Sequence, residues 1–188
     1  MYHKLALNAN LFTLLHQIDL DMLTEVQKQG CSCGGKLHRA DYPRSPMGIP
    51  PESRHHFEQR MSLCCDTCRK RTAIPTVRFF GRRWYPAPLF LLISLLQRGI
   101  STHLVNQVKK HFGISMRKST WKRWRRWWKD YFIKTLFWQQ KRGSFIGKGL
   151  LGPYPRSLYQ AMQGENKSRL LLLLQFLAPI TAGFLRAV

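Results

Sequence analysis

The sequence STWKRWRRWWKDYF, residues 119–132, contains four of the chain's six tryptophans, five Lys/Arg and one acidic residue. A helix turns by about 100° per residue and would separate these side chains onto two faces. The aromatic face carries Trp121, Trp124, Trp128, Tyr131 and Phe132; the other carries Lys122, Arg126 and Lys129, with Arg123 and Arg125 at its borders. Leaving an indole stripe in water costs about 25 cal/mol for each Å². We therefore predict a helix whose aromatic face packs on a scaffold and whose basic face lies in solvent.

The charge of the chain is concentrated around this helix. The 188 residues include 31 Lys/Arg and 9 Asp/Glu, a net charge of +22. Residues 61–148 contain 20 of the basic residues and only two of the acidic ones. Such a concentration repels itself unless a polyanion compensates it, and the candidates are DNA, RNA and an anionic membrane surface. Phosphate is the ligand that best fits an outward basic helix face. The alternatives are a solvated charged face and a helical bundle without a ligand.

Membrane and export signals are not visible in the sequence. The apolar runs 88–96 and 170–177 are shorter than the roughly 20 residues that cross a bilayer. Residues near the N-terminus, among them His3, Lys4 and Asn8, do not form a signal peptide. With 44% apolar residues the chain can build a core. We expect a soluble, cytoplasmic protein without a membrane partner or a small-molecule substrate.

All five cysteines lie within residues 31–68. In a chain without an export signal, such clustering predicts a metal site rather than disulfides. Two turns, each with a cysteine pair and joined by strand-like sequence, are typical of a zinc ribbon, because zinc takes four tetrahedral ligands. The predicted ligands of a structural Zn²⁺ are Cys31, Cys33, Cys65 and Cys68. The first pair is one residue closer than the usual knuckle spacing, which leaves as alternative ligands Cys64, His38, His55 and His56.

Segments on both sides of the cysteines predict the rest of the fold. Strand-like sequence occurs at 36–42, 57–63 and 73–80, and Pro/Gly-rich sequence between them predicts a loop. Apolar periodicity predicts an amphipathic helix over residues 10–29. Helices at 88–98 and 102–112, a turn at Gly113 and the basic helix follow the order of a helix-turn-helix. The expected fold is α+β, mostly α, with segments 1–30 (N-terminal amphipathic helix), 31–80 (zinc ribbon), 86–140 (helix-turn-helix) and 141–188 (basic loop and apolar C-terminal helix).

The residues predicted to bind nucleic acid are mostly cations on or next to the helix-turn-helix. They are Arg82, Arg83, Lys109, Lys110, Arg117, Lys118, Thr120, Lys122, Arg123, Arg125, Arg126 and Lys129.

These motifs together resemble a known family. CSCGGKLHRADYPR at 31–44, CCDTCRKRT at 64–72, Thr-x-x-Arg-Trp at 120–124 and RWRRWW at 123–128 are similar to the DNA-binding N-terminal region of insertion-sequence transposases. They also resemble small ribbon-plus-helix-turn-helix proteins that bacterial mobile elements encode beside a transposase. The resemblance covers about residues 20–140. It implies recognition of the element's own DNA, such as terminal repeats or a promoter. By position it implies zinc ligation by the four cysteines named above and base reading by the helix that contains Thr120, Arg123 and Trp124. The seven positions from Gly113 to Thr120 are longer than the family's usual turn.

A catalytic role finds little support in the sequence. The catalytic domain of such transposases holds two metal ions with three carboxylates, and after residue 68 the only acidic residues are Asp130 and Glu165. We predict a non-catalytic, zinc-binding, sequence-specific DNA-binding accessory or regulatory protein of a mobile element, associated with a bacterial nucleoid. Double-stranded DNA is the expected partner, and a transposase is a further candidate. The alternatives are an RNA-binding subunit of a ribonucleoprotein and an assembly module that docks on a transposase through its Leu-rich tail.

Overall fold

A computed structural model describes residues 9–80, 85–95, 106, 109–110, 115, 117–145 and 152–182. Within these residues the fold is α+β and mostly helical, as the sequence predicts. The first helix, α1, spans Ala9–Gln29 and confirms the predicted amphipathic helix. It buries Leu11, Phe12, Leu15 and Leu23. The chain leaves it at Gly30, whose φ of +71° lies in the left-handed region that a glycine adopts without a Cβ clash.

Two small antiparallel sheets follow α1. The first has the order β1-β4-β5, with β1 at Leu37–Arg39, β4 at Ser62–Cys65 and β5 at Arg71–Ala73. The second pairs β2 at Tyr42–Pro43 with β3 at Gln59–Arg60. Between them, a 3-10 helix covers Pro51–Phe57.

The predicted strands are therefore only partly right. The segment 36–42 contains β1, and the segment 57–63 forms β3 and the start of β4. The prediction of an extended strand over 73–80 is wrong for most of its length, because β5 ends at Ala73 and beyond it only Phe79 forms an isolated bridge, to Pro86. Pro75 has no N–H to donate to a strand ladder, which explains why the ladder stops before it.

The helical half is built around α2, which spans Ala87–Leu95 and has all nine residues buried. It agrees with the start of the helix predicted over 88–98; residues 96–98 lie outside the described residues. Of the helix predicted over 102–112, only residues 106, 109 and 110 are described, and all three are helical. The predicted turn at Gly113 also lies outside the described residues.

The basic segment forms α3 over Lys118–Arg126. It continues without a break into a π turn at Trp127–Tyr131 and a 3-10 turn at Phe132–Lys134. Thr135 then caps α4, which spans Leu136–Lys141, by accepting a hydrogen bond from the Trp138 N–H at 3.1 Å. The remaining elements are a 3-10 helix at Arg142–Phe145, α5 at Arg156–Ala161, α6 at Asn166–Leu177 and a 3-10 helix at Ala178–Ala182.

The Leu-rich helix α6 packs inside the chain's own core. Leu170, Leu173, Leu174 and Leu177 are at most 2% exposed, and α6 contacts α2 and α5. A surface for a transposase on this helix would therefore have to use its other side. Among the residues that the structure describes, none of the helices combines the length and the apolar character needed to span a membrane.

Two sets of polar contacts join the segment after β5 and the second sheet to α1 and to the last 3-10 helix. Asp19 of α1 is 1% exposed and accepts hydrogen bonds from the Val77 N–H and the Arg78 Nε, both at 2.7 Å, and from the Thr76 hydroxyl. The second set involves Thr181, in the last 3-10 helix. Its carbonyl accepts a hydrogen bond of 2.9 Å from the Arg60 Nη2. The Thr76 N–H donates to the Thr181 hydroxyl at 3.0 Å.

Candidate metal centre and basic cleft

Two turns bring four cysteines together. The first follows α1, where the Gly34 N–H donates to the Cys31 carbonyl at 2.9 Å. The second connects β4 with β5 and is closed by a hydrogen bond of 3.1 Å from the Cys65 N–H to the Lys70 carbonyl. Because β1 pairs antiparallel with β4 and sets Leu37 opposite Cys65, the first turn is held against the second. The sheet thus positions both pairs at one end.

The sulfur atoms of Cys31, Cys33, Cys65 and Cys68 all lie within 4.8 Å of one another. The Sγ–Sγ distance is 3.6 Å between Cys31 and Cys68 and 3.5 Å between Cys33 and Cys65. Four thiolates arranged tetrahedrally about 2.3 Å from a zinc ion would be about 3.8 Å apart. Four closely spaced cysteines with this geometry can hold a metal ion.

The turn backbones approach the sulfurs closely. A Cβ atom at Gly35 would lie 2.5 Å from the Cys65 Sγ and 2.6 Å from the Thr67 hydroxyl, so a larger residue there would force the second turn to shift. The Cys68 N–H donates to the Cys65 Sγ at 3.5 Å. Amide donors of this kind stabilise negative charge on sulfur. The second turn therefore places a backbone amide against the sulfur cluster.

The cysteine pKa values reflect this clustering. A backbone hydrogen bond at Gly35, with contacts to the neighbouring sulfurs, lowers the pKa of Cys33 to about 6. A backbone hydrogen bond at Lys70 lowers the pKa of Cys68, but contacts with Cys33 and Cys31 outweigh it and raise the pKa to about 12. Four thiols this close share their negative charge unequally, because each new thiolate repels the next. A bound cation removes that repulsion.

The alternative ligands left open by the sequence do not join the cluster. Cys64 alternates with Cys65 along β4 and places its Sγ 3.5 Å from the Arg69 carbonyl. His38 lies 3.4 Å from the Asp66 carboxylate. His55 and His56 lie side by side on the 3-10 helix, with ring centroids 3.9 Å apart and ring planes inclined by 45°. Within the described part of the chain, the four predicted cysteines form the one group of this kind.

The prediction that the basic helix buries an aromatic face and exposes a basic face is confirmed for all residues but one. Trp121, Trp124 and Trp128 are 1–3% exposed, and Phe132 is fully buried. Their scaffold is α2, where the Phe90 ring lies 4.9 Å from that of Trp124 and stacks on that of Trp128 at 5.7 Å. On the opposite side of α3 and its π turn, every basic residue is exposed, namely Lys122, Arg123, Arg125, Arg126 and Lys129.

The placement of Tyr131 on the buried face is wrong. Its side chain is 54% exposed, and the Arg126 guanidinium lies over its ring at 6.0 Å. The π turn at Trp127–Tyr131 accounts for the difference. One extra residue in a turn rotates the following residues back by about 100°. Tyr131 thereby leaves the stripe of buried aromatic residues, while Phe132 takes its place in the core.

Beside α3 lies a concave surface that the sequence does not predict. It is a cavity of about 520 Å³, called the cleft below. Its lining includes four cations from α3 and the π turn, together with the segment 152–154. The four cations are Lys122, Arg125, Arg126 and Lys129. A smaller hollow of about 420 Å³ lies on the other side of Arg126, lined also by Arg123, Trp127 and Tyr131.

The other predicted nucleic-acid residues are distributed as follows. Arg117 and Lys118 are exposed at the start of α3, and Thr120 is half-buried in its first turn. Lys109 and Lys110 are exposed and helical. Arg82 and Arg83 lie outside the described residues.

The segment 152–154 and Ile133 were missed by sequence reasoning. Gly152 and Tyr154 are more than 20 positions from the centre of α3, and no motif connects them to it. Ile133 directly follows the basic segment in the sequence, but its exposure of 41% is visible only in the structure. Comparison of the chain with protein-family models, with curated proteins and with solved structures gives no match.

Proposed function

We propose that this chain is a non-catalytic DNA-binding protein whose cysteine cluster holds a structural Zn²⁺ and whose α3 binds DNA through its exposed cations. The observation that carries the proposal is the division of α3, where tryptophans 1–3% exposed fix the helix to the core while its cations remain in solvent. A helix anchored in this way presents its charge at fixed positions.

Zinc is the metal that the ligand set favours. Four cysteine thiolates are typical of structural zinc sites, and all four positions are occupied by protein, which leaves none open for substrate. Two short turns on a small sheet, each with two of the ligands, are the features of a zinc ribbon. Its role would be to stabilise a region whose own core is small. That core consists of six buried residues, among them Leu37, Met61, Leu63 and Ile74.

Duplex DNA is the partner that the charge distribution favours. The order of helices around α2 and α3 is compatible with a helix-turn-helix in which α3 reads bases. The cations of α3 face solvent with one neighbouring acidic residue, Asp130, whose carboxylate lies 3.4 Å from the Arg126 Nε. Phosphate contacts position such a helix, and arginine contacts to guanine supply specificity. The link to a mobile element rests on the sequence resemblance.

The test is fluorescence anisotropy of the full chain with labelled duplex DNA over a range of salt concentrations. The variant replaces Lys122, Arg126 and Lys129 by alanine. We expect weaker binding and a plot of log K against log salt that is flatter by about two to three units, because each lost phosphate contact removes about 0.9 unit.

A matched control replaces three exposed cations on other elements, Lys28, Arg54 and Lys167, by alanine. It removes the same net charge, so an effect of charge alone would appear equally in both variants. Equal losses in the two variants would refute the assignment of α3 as the DNA-binding element. Tighter binding of the wild-type chain to RNA than to duplex DNA would favour the ribonucleoprotein alternative instead. Recovery of genomic fragments without enrichment of mobile-element termini or promoters would refute the proposed biological target.

A further inference from the structure

The cleft combines positive charge with an apolar surface. Four of its lining residues are basic and one, Asp130, is acidic. Because the Asp130 carboxylate already lies 3.4 Å from the Arg126 Nε, an excess of cations remains for a bound anion. The charged groups lie on the exposed side of α3, where a ligand reaches them without burying a charge.

The rest of the cleft is lined by aromatic and apolar groups. Trp128 is 1% exposed and belongs to the core, whereas Ile133 is 41% exposed and Tyr154 is half-buried. The Tyr154 ring is fixed by edge contacts with Phe132 at 5.5 Å and Trp138 at 5.2 Å. This wall is rigid because its aromatic residue is held by two core rings.

The volume of the cleft suits a compact ligand. Cavities that bind small molecules measure about 300–1,000 Å³, and the cleft measures about 520 Å³. A base pair within a duplex presents only its edges in the grooves, and its ring faces are covered by stacking. A base that is not paired exposes a planar face, which binds to apolar and aromatic side chains.

We propose that the cleft binds one unpaired nucleotide of a DNA partner, with its phosphate against the cations of α3 and its base against Ile133 and Tyr154. The inference rests on the proposed DNA binding and specifies the DNA structure that the site selects: a duplex with an unpaired nucleotide, at an end or as a bulge. Arg117, Lys118 and Arg123 do not line the cleft and contact the adjoining duplex. In a blunt duplex the cleft cations contact backbone phosphates as well.

The test compares two duplexes of identical sequence, one blunt and one with a single unpaired nucleotide at one end. Anisotropy titrations of the full chain should show about tenfold tighter binding to the second, as expected for stacking of one base. Deoxyadenosine monophosphate in excess should abolish this preference, and inorganic phosphate at the same concentration should leave most of it.

The variant Ile133→Trp places a bulky side chain in the cleft from an exposed position. It should remove the preference for the unpaired nucleotide while blunt-duplex affinity stays within about twofold. Leu136→Trp is the matched control, since Leu136 is 37% exposed nearby but does not line the cleft. It should retain the preference.

Two results would overturn the inference while leaving the proposed function intact. One is equal affinity of the wild-type chain for both duplexes; the other is a preference that survives Ile133→Trp. Equal competition by polyglutamate and by deoxyadenosine monophosphate would also overturn it, because the cleft would then accept any polyanion. Absence of measurable binding of the wild-type chain to either duplex would instead refute the proposed function itself.

Discussion

The substitution Gly35→Ala tests the metal centre with a single methyl group. The added Cβ would lie 2.5 Å from the Cys65 Sγ, 2.6 Å from the Thr67 Oγ1 and 2.8 Å from the Asp66 Oδ1. All three atoms belong to the turn that carries the second cysteine pair. Gly35 is outside the left-handed region, so the backbone itself tolerates alanine. The effect of the substitution is therefore steric and is directed at the sulfur cluster.

The expected loss of zinc affinity depends on whether the overlap at the new Cβ atom can relax. Without metal the two turns can move apart, and most of the overlap disappears. With metal bound, Cys65 is fixed by coordination and the strain remains. Overpacking of this kind costs about 1–3 kcal/mol. Since about 1.4 kcal/mol corresponds to a factor of ten, zinc affinity should fall by roughly 5- to 150-fold.

The assay is competition for zinc between the protein and a chromogenic chelator, with circular dichroism to verify folding. Gly34→Ala is the matched control. A Cβ there meets no atom within 4 Å, but the φ of +83° makes alanine unfavourable by about 1 kcal/mol. We expect the control to lower stability slightly and to bind zinc much as the wild-type protein does. Wild-type zinc affinity in Gly35→Ala would refute the geometry of the site.

Three further predictions concern the core. Trp124→Ala should lower the free energy of unfolding by about 3–5 kcal/mol, because it leaves a cavity in the core. Urea unfolding measures this loss. An unchanged stability would mean that the aromatic face of α3 is the exposed one. Asp19→Asn leaves the buried Arg78 without a counter-charge and should cost about 3–5 kcal/mol, whereas the exposed Asp21→Asn should change stability by less than about 0.5 kcal/mol. Burial and the Arg78 charge lower the pKa of His16 from 6.5 to about 4, so in this interval the unfolded chain binds more protons and stability falls as the pH falls. His16→Gln should flatten this part of the pH dependence of urea unfolding; an unchanged slope would exclude His16 as its source.

Local patterns predicted those features that depend on spacing alone. The indoles of Trp121, Trp124 and Trp128 recur at three and four residues, and any helix that buries one of them buries the others. The cysteine ligands followed from two pairs at turns. The sequence favours Cys65 over Cys64 because Cys65 and Cys68 have the Cys-x-x-Cys spacing. In the structure, side chains alternate along β4, and Cys64 lies outside the cluster.

Features that depend on distant packing could not be predicted in this way. Tyr131 leaves the buried stripe because of a π turn, and helical periodicity assumes a constant number of residues per turn. The pair of Asp19 and Arg78 joins residues 59 positions apart. The cleft exists because the segment 152–154 packs beside α3. The ion pair and the cleft depend on how distant segments pack, and the π turn depends on a local change in helical geometry. Neither residue propensities nor short motifs predict such features.

The hydrogen bond from Arg60 to the Thr181 carbonyl spans 121 positions, and the bond from Thr76 to Thr181 spans 105. During translation, the sheet that carries the cysteines emerges from the ribosome long before this partner is made. The buried guanidinium of Arg60 donates to the Ile74 carbonyl at 3.1 Å and gains its second acceptor only when residue 181 has been made. The proposed binding of a metal ion by the four cysteines would thus not depend on the last contacts to form. A ribosome stalled before residue 181 would display a chain whose cysteine-bearing sheet is complete but whose contacts to Thr181 are not.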